Sequence, residues 1–441
     1  MKSILKKVAR VAVAAVLALV MFSCSNGSID DPVMPPVSDK QTVATPAFSV
    51  ESGAVNSGTS VTITCATDGA KIYYTTDGND PTAESTEYSD AISITKAVTV
   101  KAIAVKSGMN DSAVESVSYT IIPEGFVKVK GGKVTGKSNT NNYPGVFIEG
   151  RTVTLSDFYM SKYEVTKAQY KAVMEDTSLN TLGITADPSF STLKPTKYVM
   201  AAGEEDYERP VENVSWYDAV YFCNLLSKKD GLEPVYTINN TETKTVSYPS
   251  AGASGNETVL IKCISSATVT ADHTKNGYRL PTVAEWEYAA RGGDPSAADW
   301  DWTFSGADTA AETSYDSKSN TGLDAVGWYY YNTCNGGTTT STLATEGTAG
   351  FGTHQKGLKA PNALGIYDMS GNVWEWCYDC PGVVSTGEET DPLGPSSDSK
   401  HIVRGGAWNN YANRTSVCYR VSELPSFSSS GVGFRLVRSA N

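Results

Sequence analysis

The stretch PNALGIYDMSGNVWEW (361–376) carries the clearest candidate chemistry in this chain. Asp368 offers one carboxylate. Met369, Gly371 and Val373 follow at two-residue steps and offer alternate backbone carbonyls in a tight turn. Calcium takes several oxygens at about 2.3–2.6 Å, and a loop of this kind can wrap it. A plain Asx turn, in which the side chain caps its own backbone, uses the same residues. Residue types alone leave both readings open.

Other reactive residues are less suggestive. His273, His354 and His401 are far apart, with no ligand-like spacing. Cys377-Tyr378-Asp379-Cys380 has redox-type spacing but does not open a helix after a βαβ strand, as a thioredoxin motif would. Glu285 and Glu287 stand two apart in a helical pattern and so point to different faces; Glu285 is expected to serve as a helix cap. Asp77 and Asp80 sit in a turn, where capping of backbone N–H groups is the expected role. No acid pair is read as catalytic.

The elements that position these residues fall into four segments. Lys2, Lys6, Lys7 and Arg10 precede an apolar run, 11–22, too short to span a bilayer stably. Val20-Met21-Phe22-Ser23-Cys24 resembles a loose, spirochaete-type lipobox, so residues 1–24 are expected to be a lipoprotein signal peptide with Cys24 as the acylated residue. An ordinary signal peptide is the alternative. Residues 25–44 are rich in Pro, Ser and Asp and predict a flexible stalk. Residues 45–122 alternate short β-prone runs with turns and predict an all-β sandwich. Residues 123–441 predict a mixed domain. Its three helices start at Thr166, Ser215 and Thr282, with Gln169, Asp218 and Glu285 at the third helical position. Trp216, Ala219, Val220 and Cys223 form one apolar stripe. The Gly/Ser/Thr-rich stretches 240–260 and 300–350 read as long loops.

The net charge of -12 over 441 residues argues against nucleic acid, which needs a basic face. Without Cys24, seven cysteines remain, an odd number, so at least one is unpaired within a monomer.

YYTTDGNDPT (73–82), AISI (91–94) and TVKAIA (99–104) resemble the chitobiase/β-hexosaminidase C-terminal repeat. This resemblance implies an immunoglobulin-like sandwich used as an accessory domain. Further along, YMSKYEVT (159–166), RPVENVSW (209–216), YRLPTVAEWEYAARGG (278–293), the 361–376 stretch, RGGAW (404–408) and GFRLV (433–437) together resemble the formylglycine-generating enzyme, or sulfatase-modifying factor, family. That resemblance implies an α+β, C-type-lectin-like fold. It also favours calcium at Asp368, Met369, Gly371 and Val373, and places a second, poorly matched calcium position near Asn332.

The family's oxidases hold copper on two cysteines after the paired glycines. Here those positions read Asn410 and about Thr415, and Cys418 lies beyond both. Soft Cu(I) requires thiolates, so copper and catalysis are not expected. The segment also resembles the variable proteins of diversity-generating retroelements, where solvent-facing residues form a binding surface. Trp408, Asn409, Asn410, Tyr411, Asn413 and Arg414 are the expected contacts. The sequence thus predicts a lipid-anchored protein of the cell envelope, on its outer surface, whose lectin-like domain binds a protein or glycan. A formylglycine-generating oxidase and a purely structural envelope protein are the alternatives.

Overall fold

The computed structural model describes residues 40–138, 145–249, 258–308, 320–334, 345–395 and 399–440. Cys24 and most of the stalk lie outside the described residues. Among the described residues no helix is long and apolar enough to cross a membrane.

The first module is β-sheet throughout. A five-stranded sheet runs in the order Gly53–Val55, Glu115–Ile121, Val98–Val105, Lys71–Thr75, Thr86–Glu87. Two further pairs, Thr59–Val61 with Ile92–Ile94 and Ala47–Phe48 with Ile63–Thr64, complete it. Period-two patterning explains the core. Val100, Ala102 and Ala104 alternate inward along one strand, and Val61, Ile94 and Tyr119 are buried as well. The turn acids split in role. Asp77 accepts from the Asn79 backbone N–H at 3.0 Å, as a cap should. Asp80 instead pairs with Lys101 at 2.8 Å.

The second module is α+β. Its helices are α1 (Lys167–Met174), α2 (Phe190–Leu193), α3 (Trp216–Lys229), α4 (Val283–Ala290) and α5 (Thr321–Val326). Thr166, Ser215 and Thr282 each form a full capping box at the heads of α1, α3 and α4. The Trp216, Ala219, Val220 and Cys223 stripe of α3 is buried in the main core. Gly231, at φ 69°, follows the end of that helix.

Three small sheets surround these helices. Phe158–Ser161 lies between Phe126–Val129 and Val437–Ser439, so the start and the end of the module close on one another. Lys133–Thr135, Arg151–Thr154 and Gly387–Thr390 form the second sheet. The third runs Arg420–Glu423, His401–Arg404, Trp374–Trp376, Val432–Gly433 and carries the candidate site at the start of its Trp374–Trp376 strand.

Two expected loops are corrected. Within 240–260 the described chain is strand: Tyr236–Pro249 pairs with Thr258–Ala271 as a long antiparallel hairpin. Alternating Thr, Val and Ile favour extended backbone even where no strongly apolar face advertises a strand. Within 300–350, residues 320–334 form α5 and a buried aromatic group that includes Trp328, Tyr329 and Tyr331.

Candidate functional site

The Asp368 turn is built from strained backbone and borrowed carbonyls. Asp368 and Asn372 adopt φ 59° and 60°, a left-handed conformation uncommon outside glycine. Gly371 is obligatory: a Cβ there would sit 2.0 Å from the Trp328 carbonyl oxygen. The Gly371 N–H donates to Gly405 O at 2.8 Å and the Asn372 N–H to Trp328 O at 2.9 Å. The Trp408 N–H donates back to Asn372 O at 2.9 Å. The turn therefore ties the segment after Gly405-Gly406 to the Trp328 segment.

Asp368 is only 2 % exposed. Its Oδ2 accepts from the Gly357 N–H at 3.0 Å, so the side chain caps a distant loop and not its own turn. Its Oδ1 is shut off from solvent with no hydrogen-bond partner. Burial pushes this carboxyl up to about 6, against the Gly357 hydrogen bond and the pull of Arg435. A buried, half-satisfied carboxylate is costly, and a divalent cation would satisfy Oδ1. Among the described residues no group of three His, Cys, Asp or Glu side chains is placed to hold a metal. A cation here would thus draw on one carboxylate and on backbone carbonyls, the donor set that Asp368, Met369, Gly371 and Val373 offer. The unpartnered Oδ1 is the donor that such a cation would take.

Sequence reasoning missed the acid that braces this turn. Glu164 is 1 % exposed; it accepts from Asn372 Nδ2 at 2.8 Å and from the Val373 N–H at 3.1 Å. Burial, then the nearby Asp368 and Glu375, hold its carboxyl well above the usual range. Its position inside YEVT, just before the Thr166 cap, was the available signal. Next in line, Glu375 accepts from Trp286 Nε1 at 2.6 Å and pairs with Arg435.

The other candidates separate. Glu285 is bound by Arg279 at 2.6 and 2.7 Å, while Glu287 is held by Arg404 at 2.7 Å and by Arg291. They face different partners and neither is free to do acid–base work. His354 is buried against Glu204, at 2.6 Å, and stacks on Trp328. Near the second calcium position, Asn332 accepts from the Tyr329 N–H at 2.8 Å and donates to Gly327 O at 2.9 Å. Residues 335–344 of that region are outside the described chain.

The expected binding segment sorts into two faces. Trp408 is a correction: at 2 % exposure it belongs to the core. Its indole donates to Ser430 O at 2.9 Å and packs edge-on to Phe351. The reason is that an indole this large is stabilised by burial and finds a carbonyl for its N–H. Asn410 is also turned inward and accepts from the Ala407 N–H at 3.0 Å. Asn413 keeps both amide atoms out of solvent with no partner. Asn409, Tyr411 and Arg414 remain exposed. Tyr411 stacks on Tyr331 with centroids 5.8 Å apart and meets Tyr330 edge-on at 5.7 Å.

At the positions where the resemblance places copper ligands, Thr415 is buried with its hydroxyl on Ala412 O at 2.8 Å. Cys418 is buried and its sulfur accepts from Arg291 Nη2 at 3.0 Å. No disulfide joins the seven described cysteines.

Residues 114–440 match the sulfatase-modifying factor enzyme 1-like domain. The chain belongs to the sulfatase-modifying factor family. Residues 50–116 match the chitobiase/β-hexosaminidase C-terminal domain. This family member is 34 % identical over 343 residues to chaperone protein LppX of Paenibacillus barcinonensis, covering 76 % of this chain and 96 % of that one. It is 26 % identical over 327 residues to formylglycine-generating enzyme of Streptomyces coelicolor, covering 72 % and 90 %. Among solved structures it is similar to Treponema denticola variable protein 1, with a TM-score of 0.50, 28 % identity, and coverage of 74 % of this chain and 96 % of that one.

Proposed function

We propose that this sulfatase-modifying factor family member is an envelope lipoprotein whose second module binds a protein or glycan ligand without turnover. One observation carries this reading. The segment after Gly405-Gly406 presents Asn409, Tyr411 and Arg414 to solvent on a buried aromatic base. A rigid, half-exposed tyrosine with amide and guanidinium neighbours is good contact chemistry at low entropic cost. The same segment has no pair of thiolates for Cu(I), which that oxidation requires. Similarity to a variable protein supports binding, and similarity to formylglycine-generating enzymes keeps an oxidase as the runner-up.

In this reading Asp368, with the carbonyls of Met369, Gly371 and Val373, holds a structural Ca²⁺ that fixes the turn under Gly405. Cys24 supplies the lipid anchor, and similarity to LppX supports placement at the envelope. Cys24→Ala should move the protein to the soluble fraction; retention on membranes in high salt contradicts the anchor. The binding test uses the full chain against extracellular proteins and a glycan array. Asn409→Ala, Tyr411→Ala and Arg414→Ala combined should cost about tenfold or more in affinity for whatever wild type captures, since exposed Tyr and Arg dominate such contacts. Unchanged capture by the triple variant overturns the assignment of this face.

A further inference from the structure

Away from the Asp368 turn, a cavity of about 480 Å³ opens between the head of α4, the Gly387–Thr390 strand and the 380–395 connection. A second hollow of about 590 Å³ shares Gly382, Val383, Val384 and Arg420 with it, so the two form one trough. This combined space is of the size that holds a small ligand. Much of the wall is apolar, including Val146, Val384, Pro395 and Ile402. At the rim, Val383 is 94 % and Leu393 41 % exposed.

The charges in the trough are nearly all spoken for. Arg151 pairs with Glu389 and donates to Val146 O at 2.9 Å. Asp379 accepts from the Val283 N–H at 2.8 Å. Asp391 accepts from Ser156 through both its backbone N–H and its hydroxyl, each at 2.7 Å. Arg420 is the exception. Among the described residues its guanidinium has no hydrogen bond or ion pair, although it is close enough to Asp379, Arg151 and Arg404 to feel their charges. Partial burial and the neighbouring Arg404 both disfavour its charge. A half-buried cation that lacks a partner is a ready anchor for an anion, and the planar fork of arginine suits a carboxylate in particular.

We propose that this trough binds a small organic monocarboxylate with an apolar body, Arg420 holding the carboxylate while Val383, Val384 and Leu393 cover the body. Bare inorganic anions would leave the apolar walls unused, and neutral apolar molecules would leave Arg420 unpaired.

The test is calorimetric titration of the full chain with octanoate, octanamide and inorganic phosphate. Octanoate should bind one per chain. Octanamide should bind at least about tenfold more weakly, because a hydrogen bond to a charged group is worth that much. Phosphate should also bind at least about tenfold more weakly, because it buries no apolar surface. Arg420→Met should reduce octanoate affinity about tenfold and leave the melting temperature near that of wild type. If that variant does not fold, Val383→Asp at the exposed rim should weaken octanoate by a similar factor through charge repulsion. The proposal is overturned if octanoate does not bind, binds no better than octanamide or phosphate, or binds equally well to the folded Arg420→Met or Val383→Asp protein.

Discussion

Glu375 and Arg435 form a two-point ion pair, Nε to Oε2 and Nη2 to Oε1 both at 2.6 Å, with neither side chain exposed. Arg435 also donates to Ser161 O and Tyr367 O, each at 3.0 Å. The guanidinium thus fastens the GFRLV segment to the Trp374–Trp376 strand and fixes the residue just before Asp368. Arg435→Met would leave Glu375 as a buried, unpaired charge, for which about 3–5 kcal/mol is the usual cost. Chemical denaturation of the full chain should show a loss of that size. The double variant Glu375→Met with Arg435→Met should recover part of it. A loss under about 1 kcal/mol in the single variant, the usual size for surface changes, contradicts the pair's structural role.

Calcium should stabilise the second module. Ca²⁺ binding only the folded chain adds RT ln(1 + [L]/Kd), or about 2.7 kcal/mol at a hundredfold excess over Kd. Chelation should therefore lower the melting temperature. Asp368→Ala should melt like the chelated wild type and be insensitive to further chelator. Mg²⁺ should substitute poorly, because it demands a small octahedron that converging carbonyls rarely give. Identical melting of wild type in chelator and in millimolar Ca²⁺ would reduce Asp368 to a cap on Gly357.

Stability should fall as pH rises, in part through Glu212. This carboxyl is buried and pushed up from 4.5 to about 8, with burial outweighing its hydrogen bonds from Phe190 and Ser191. A folded pKa above the unfolded one means the contribution is whole below about 4.5 and is lost as pH climbs through about 8. Glu212→Gln keeps an acceptor for the same N–H groups and cannot ionise. Denaturation midpoints of wild type should drop more steeply between pH 5 and 8 than those of the variant. Buried Asp218 and Asp379, raised to about 6 and about 7, act in the same direction, so the comparison with the Gln variant is what isolates Glu212. Parallel profiles contradict the assignment.

Local signals in the sequence carried most of the fold. Capping boxes at Thr166, Ser215 and Thr282 mark helix starts because their geometry is set within four residues. Alternation in 98–105 marks a strand for the same reason. The 236–271 hairpin was less legible, since polar, β-branched strands lack an apolar face to reveal their period. At the site, Asp368 and Gly371 could be read from the turn itself. Glu164 stood out only by its place in YEVT, and its role could not be read there, because its partners Asn372 and Val373 lie some two hundred residues away. The inward turn of Trp408 was hidden likewise, for it depends on Phe351 and Ser430. Arg420 stood out in no motif; only the fold leaves it in a trough without a partner.

Binding without turnover leaves this protein no use for Cu(I). Full-length protein would be incubated with Cu(I), oxygen and a cysteine-containing sulfatase peptide. Metal stoichiometry and peptide mass would then be measured, with a formylglycine-generating enzyme as positive control. With Asn410 and Thr415 at the ligand positions and Cys418 engaged by Arg291, the expected result is neither tight equimolar copper nor conversion of the peptide cysteine to formylglycine. Either one, observed with wild-type protein, would rule out binding without turnover and make this chain an oxidase.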